Sequence, residues 1–133
     1  MIVLDASALV ELLLHTSAGA AIGDRIADPA IGLHIPHLAD IEVTQVLRRY
    51  VRDGDIHPND AATALEDLRE FDLQRHAHEP LLTRVWQLRE NLTDYDAVYV
   101  ALAEVLGCLL MTCDARLARA PGLKCRVEVL QPT

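Results

Sequence analysis

The chain has 133 residues, half of them apolar, and a formal charge of −8, enough for one domain (residues 1–133) that buries a core without disulfide or metal staples. No uninterrupted apolar run approaches the roughly 18–20 residues of a membrane span. The opening MIVLDASALVELLLH carries Asp5 and Glu11 inside its apolar stretch and no basic residue before it, which excludes a signal peptide and sets the expectation of a soluble, cytoplasmic protein with no membrane contact.

Ile2-Val3-Leu4 reads as a short buried strand, and Ser7 to His15 as a helix. Thr16 to Ala27 reads as a second helix, stopped by Asp28-Pro29. Ile31 to Ile35 is a strand bounded by Pro36. Leu38, Ile41, Val46, Tyr50 and Val51 lie near helical spacing, which predicts a helix from Leu38 to Asp53 with Gly54 as its stop. Pro58-Asn59-Asp60 opens another that reaches about Phe71. Leu73 to Ala77 is a candidate strand, Glu79 to Asn91 a helix, and Thr93 to Leu106 a strongly apolar helix ended by Gly107. A strand at Cys108–Met111, a short helix at Asp114–Ala120 and a last strand at Cys125–Leu130 complete the chain. Short apolar strands alternating with helices predict an α/β fold with a parallel sheet covered on both faces. In such folds ligands sit outside the carboxyl ends of the strands, where strand order reverses.

Lys124 is the only lysine, so a G-x-x-x-x-G-K phosphate loop is excluded. Cys108, Cys113 and Cys125 lack C-x-x-C spacing and fall in apolar surroundings, which predicts buried reduced thiols. Six histidines form no H-E-x-x-H pattern, and His76 and His78 alternate as on a strand face; surface or packing roles are expected of them, not zinc. The negative charge counts against tight non-specific nucleic-acid binding, which needs Lys and Arg. With four acids assigned to a metal site, the remaining charge is −4, a balance that does not exclude metal-assisted cleavage.

Two apolar strands end at or near an acid. Ile2-Val3-Leu4 runs into Asp5, with Ser7 two residues on, and Leu109-Leu110-Met111 runs into Thr112 and Asp114. Both carboxylates then stand at one rim of the sheet, although each also suits a helix cap. Glu42 lies early in its helix beside the apolar stripe, where a helix-dipole role is the alternative. Asp96 has no positive partner at Tyr99, Val100 or Ala103, its neighbours three, four and seven residues on. Its alternative is a capping box under Thr93. Asp94, nearer the helix start, ranks below Asp96.

Four carboxylates gathered in one place repel and raise one another's pKa. Mg²⁺ or Mn²⁺ relieves this, because hard divalent cations take oxygen ligands. Paired metals about 3.5–4 Å apart activate a water and stabilise the leaving oxygen of a phosphodiester. Ser7 and Thr112 are placed to orient carboxylates from behind.

The segments M-I-V-L-D-A-S-A-L-V-E, I-P-H-L-A-D-I-E-V-T-Q-V-L-R-R, and L-T-D-Y-D-A-V-Y-V-A-L-A-E followed by L-L-M-T-C-D-A-R-L-A resemble the PIN family, and within it the VapC toxin branch. Order and spacing agree across essentially the whole chain. The resemblance implies a three-layer α/β/α sandwich, Mg²⁺- or Mn²⁺-dependent endoribonuclease activity on RNA, and a homodimer inhibited by a cognate VapB-type antitoxin. By position, Asp5, Glu42 and Asp96 match the family's three most regular acids, and Asp114 matches a fourth that is less strictly kept. Gln45 stands where the family often has Asn. Arg48, Arg49, Arg52, Arg116 and Arg119 are the basic residues nearest these motifs and are candidates for RNA phosphates. Two other classes share an acidic pocket or the fold: a receiver-like domain that forms an aspartyl phosphate, and a non-catalytic PIN-like binding module. The lysine deficit speaks against the first and the four retained acids against the second.

Overall fold

The computed structural model describes residues 1–131. Five strands, β1 (Ile2–Leu4), β2 (Leu33–Pro36), β3 (Gln74–His76), β4 (Leu109–Thr112) and β5 (Val127–Val129), form one sheet in the order β3-β2-β1-β4-β5. Every pairing is parallel. The central strand reads Ile-Val-Leu with all three side chains buried, as a strand covered on both faces requires. Fully burying a side chain such as Leu4 contributes about 1.5–3 kcal/mol.

The helices are α1 (Ala6–Leu13), α2 (Ser17–Arg25), α3 (Leu38–Arg52), α4 (Pro58–Glu70), α5 (Leu82–Gln87), α6 (Asp94–Leu106) and α7 (Ala115–Arg119). Right-handed crossovers from β1 through β2 to β3 put α1 to α4 on one face, and the return to β4 and β5 puts α5 to α7 on the other. The packing follows: α1 touches α2, α3 and α4, whereas α6 lies on β1, β2 and β4 with α5 against it. That is the expected α/β/α sandwich.

Local chemistry sets the helix ends. Thr16 accepts a hydrogen bond from the Gly19 amide and caps α2. His15, with φ 57°, takes the left-handed conformation that lets the chain turn between α1 and α2. Those helices cross at 105°, and the approach is so close that a Cβ on Gly19 would stand 2.0 Å from the Glu11 carbonyl oxygen. No single helix among the described residues is long and apolar enough to cross a membrane. Ala97 to Ala103 is buried on every side, because α6 is wedged between the sheet and α5. It ends at Gly107, whose φ of 64° suits glycine.

Three expectations needed correction. The helix foreseen from Glu79 to Asn91 is a 3₁₀ turn at Glu79–Leu81 followed by the short α5. Pro80 starts the tight turn, and at the far end the Leu88 amide is shared between the carbonyls of Arg84 and Val85, which closes the helix. β2 extends through Pro36, which lies beyond the register with β1 and pairs only with β3. The three cysteines are free but only half-buried. Burial pushes the Cys113 and Cys125 thiols up to about 11.

Candidate metal centre

Strand order reverses between β1 and β4, and the carboxyl ends of both strands lie side by side there, the point at which folds of this kind form a ligand crevice. The Asp5 amide donates to the Met111 carbonyl at 3.1 Å, closing the two strands just behind the rim. Asp5 follows β1, Thr112 ends β4 and Asp114 follows two residues on, so acids after both strands stand at that crevice.

Asp5 is buried at 6 % exposure and its carboxylate is fixed on three sides. Oδ1 accepts from Ser7 Oγ at 2.6 Å and from the Ala8 amide at 2.9 Å. Oδ2 accepts from the Thr112 hydroxyl. The residue thus caps α1 and faces the crevice at once. Ser7 Oγ accepts the Cys113 amide at 3.0 Å, and Thr112 Oγ1 accepts the Asp114 amide at 3.0 Å. Each hydroxyl is therefore oriented by a backbone donor so that its own proton points at Asp5. Burial raises the Asp5 pKa; the bonds from Ser7, Thr112 and Ala8 oppose this, and the nearby Asp96 charge adds to it.

Glu42 stands in the second turn of α3, in the other helical layer from Asp96. Its Oε1 accepts from the Tyr99 hydroxyl of α6 at 2.7 Å. Burial raises its pKa, the Tyr99 bond lowers it, and the charges of Asp96 and Asp5 raise it again. Asp96 is the third residue of α6, and its amide donates to Thr93 Oγ1 at 3.2 Å, half of a capping box. Its carboxyl is half-buried beside the other acids: burial raises its pKa, Thr93 lowers it, Asp114 raises it and Arg116 lowers it. Asp94 is exposed and borders an apolar groove with Leu82, Trp86 and Tyr95.

Asp114 caps α7 through the Arg116 amide at 2.9 Å, and the Arg116 guanidinium meets both its oxygens at 3.2 Å. That pairing holds its carboxyl below the usual range. Arg49 lies two helical turns beyond Glu42, about 10 Å along the same face of α3, and covers the Tyr50 ring. Arg48 and Gln45 are exposed on α3, and Arg119 is exposed on α7. Arg52 pairs with Asp53 at 3.4 Å. Lys124 stands at the opposite rim of the sheet, where its amide donates to Glu104; a receiver-like site would lack its lysine.

The arrangement fits a divalent cation. Asp5, Glu42 and Asp96 take part in no ion pair among the described residues, yet burial and mutual repulsion oppose their charges. Internal compensation is partial: hydrogen bonds from Ser7, Thr112 and Ala8 to Asp5, from Tyr99 to Glu42 and from Thr93 to Asp96, with the Arg116 charge near Asp96, leave all three pKa values raised. Oxygen donors whose negative charge lacks an ion-pair partner suit a hard divalent cation. Among the described residues no three His, Cys, Asp or Glu side chains already stand at coordination spacing. An ion bound there would therefore draw the acids closer together than they stand here. Tyr99 is the member of this site that residue patterns did not single out; its one signal is an aromatic hydroxyl three residues from Asp96 within the otherwise aliphatic stretch from Ala97 to Ala103.

The comparisons agree with this architecture. The PIN domain profile matches residues 2–123. Ribonuclease VapC1 of Mycobacterium tuberculosis is 42% identical over 130 residues, covering 97% of each chain. Ribonuclease VapC9 of the same organism is 39% identical over 130 residues and covers 98% of each. Among solved structures, PAE2754 from Pyrobaculum aerophilum superposes with a TM-score of 0.71 at 27% identity, over 96% of this chain and 83% of that one. The Mycobacterium tuberculosis toxin VapC20 has the same fold, with a TM-score of 0.67 at 16% identity over 90% and 94% of the two chains. The chain belongs to the PIN domain family, in the branch of the VapC ribonucleases.

Proposed function

We propose that the protein is an Mg²⁺- or Mn²⁺-dependent endoribonuclease, the toxin half of a VapBC-type toxin–antitoxin pair, with its PIN domain occupying residues 1–133. The observation that carries this reading is the crevice between β1 and β4, where Asp5 is locked by Ser7, Thr112 and Ala8 and lies near Glu42 and Asp96, none of the three in an ion pair among the described residues. The full-length likeness to proteins named as ribonucleases supports RNA as the substrate.

Asp5, Glu42, Asp96 and Asp114 are the residues that would hold the cation. When bound, it supplies Lewis-acid activation of water and of the scissile phosphodiester. Asp5 would provide the most firmly held carboxylate, and Glu42 and Asp96 would contribute theirs from the two helical layers. Ser7 and Thr112 spend their protons on Asp5, so they orient it and serve neither as nucleophile nor as general acid. Asp114 would be available to the cation only with its Arg116 pair broken; Arg116, Arg48 and Arg49 are the exposed cations offered to RNA phosphates.

A VapB-type antitoxin is the proposed inhibitor. The apolar groove between α1, α2 and α4, lined by Leu12, Leu13, Ala20 and Phe71, supports a seat for its apolar segment. A second copy of the chain is the proposed partner for the groove face bearing Leu82, Trp86 and Tyr95, three large apolar side chains all more than half exposed. The chemistry is tested by incubating labelled RNA with the protein and Mn²⁺, with EDTA and an Asp5→Asn variant as comparisons. Cleavage confined to wild type with metal is expected. Cleavage that persists in excess EDTA would overturn the metal mechanism.

A further inference from the structure

Tyr99 is 1 % exposed and sits in a helix whose other buried residues from Ala97 to Ala103 are Ala, Val and Leu. Packing alone would be served by Phe at this position. The hydroxyl needs a reason, since a buried phenol without a partner is costly. Its partner is Glu42 Oε1 at 2.7 Å, 57 residues away and in the opposite helical layer.

Glu42 differs from the other three acids in how it is held. Asp5 has three donors and Asp114 has its helix amide and a guanidinium. Asp96 is short and tied through its own amide to Thr93. Glu42 has three rotatable bonds, lies past the end of its helix's free amides, and takes part in no ion pair among the described residues. Tyr99 is the one hydrogen-bond donor found for its carboxylate there. We propose that Tyr99 is a positioning residue that fixes the Glu42 carboxylate in the acidic crevice, so that α3 presents its acid together with Asp5 and Asp96. This rests on the reading of the acids as a divalent-cation site. Burial and the neighbouring carboxylates push the phenol pKa far above its ordinary value, so Tyr99 keeps its proton and acts purely as a donor. With Asp96 three residues earlier on the same face, α6 supplies one acid directly and holds a second.

The test is Mn²⁺ titration calorimetry on wild type, Tyr99→Phe, Glu42→Ala and the double variant, with melting in EDTA as the check on folding. Removing an outer hydrogen-bond partner of a metal ligand weakens binding about tenfold or more. Tyr99→Phe is therefore expected to bind Mn²⁺ about tenfold more weakly, with kcat on RNA reduced and KM unchanged. In the Glu42→Ala background the same substitution should change Mn²⁺ affinity no further. That comparison also serves if Tyr99→Phe alone folds poorly, because removing Glu42 removes the orphaned acid. Wild-type Mn²⁺ affinity in Tyr99→Phe, or effects that add in the double variant, would overturn the positioning role alone. A wild type that takes up no Mn²⁺ would overturn the cation site and this role together.

Discussion

The Thr112 hydroxyl donates to Oδ2 of Asp5 across 107 residues of chain, and it ties the end of β4 to the acid that ends β1. With Ser7 on the other oxygen, the carboxylate has one orientation. Asp5→Asn keeps the α1 cap, since an amide oxygen still accepts from Ala8, but it loses the charge and sets an NH₂ against a hydroxyl. Metal-dependent RNA cleavage should fall at least about a hundredfold, while Thr112→Val and Ser7→Ala should cost about 10–100-fold as outer partners. Far-UV circular dichroism should be unchanged in all three. A Thr112→Val variant as active as wild type would mean that Asp5 needs no such holding.

Asp96→Asn tests whether the acids are coupled. A ligand that binds only the native state stabilises it by RT ln(1 + [L]/Kd), about 2.7 kcal/mol at a hundredfold excess. Mn²⁺ should thus raise the wild-type Tm. The variant should melt higher than wild type in EDTA, because one member of a repelling group is neutralised, and should gain less from Mn²⁺. A variant clearly less stable in EDTA and equally responsive to Mn²⁺ would make Asp96 a helix cap only.

These residues differ in how far they could be read from the chain. Asp5 and Asp114 were legible because an acid one or two residues after a buried strand stands at the sheet rim whatever the rest of the fold does. Asp96 stood out as an unpaired acid in an apolar helix, yet Tyr99 three residues on carried no such mark, since its partner Glu42 is 57 positions away in another layer. The helix expected from Glu79 to Asn91 shows the same limit. Leu81, Val85, Leu88 and Leu92 keep helical spacing, but the Asn91 amide group reaches the Pro121 carbonyl at 3.1 Å. That tertiary contact anchors a turn that local spacing does not encode.

Away from the site, Glu104 should matter for stability. It is paired with Arg84 at 2.7 and 3.1 Å, side-chain exposures being 10% and 22%, and it also accepts the Lys124 amide. Burial would raise its pKa, but the bonds from Arg84 and Lys124 outweigh this and hold it below its ordinary value. Arg84 further donates to the Gly122 carbonyl, so the pair fastens the segment before β5. Glu104→Gln should cost about 1–3 kcal/mol and lower Tm by several degrees without changing Mn²⁺ affinity. An unchanged denaturation midpoint would rule out this fastening.

His34 and His76 share a hydrogen bond at 2.9 Å on neighbouring strands. Burial lowers the His34 pKa below its ordinary 6.5, and the charges of His76 and the N-terminus add to this. The native state then binds fewer protons than the unfolded chain between the lowered value and 6.5, so stability is lost as pH falls through that window. His34→Gln, which keeps a polar partner for His76, should flatten this part of the pH–stability curve. Equal slopes for variant and wild type below pH 6.5 would show that His34 charges freely in the fold.

Glu42 should show the opposite sign. Its folded pKa is raised above the ordinary 4.5 by burial and by Asp96 and Asp5, against the Tyr99 bond. The native state then binds more protons than the unfolded chain between 4.5 and the raised value, so stability falls as pH rises through that window. The penalty is complete only above the raised value. Glu42→Gln removes it while keeping an oxygen for Tyr99, and the His34 contribution cancels when variant and wild type are compared at each pH. In EDTA the variant should melt higher than wild type near pH 7, and the gap should close as pH approaches 4.5. Saturating Mn²⁺ should reverse the order at neutral pH, because the cation needs the ionised carboxylate that burial disfavours. A gap in EDTA that stays constant with pH would mean that Glu42 ionises as freely in the crevice as in water, and the repulsion that makes the crevice receptive to a cation would be absent.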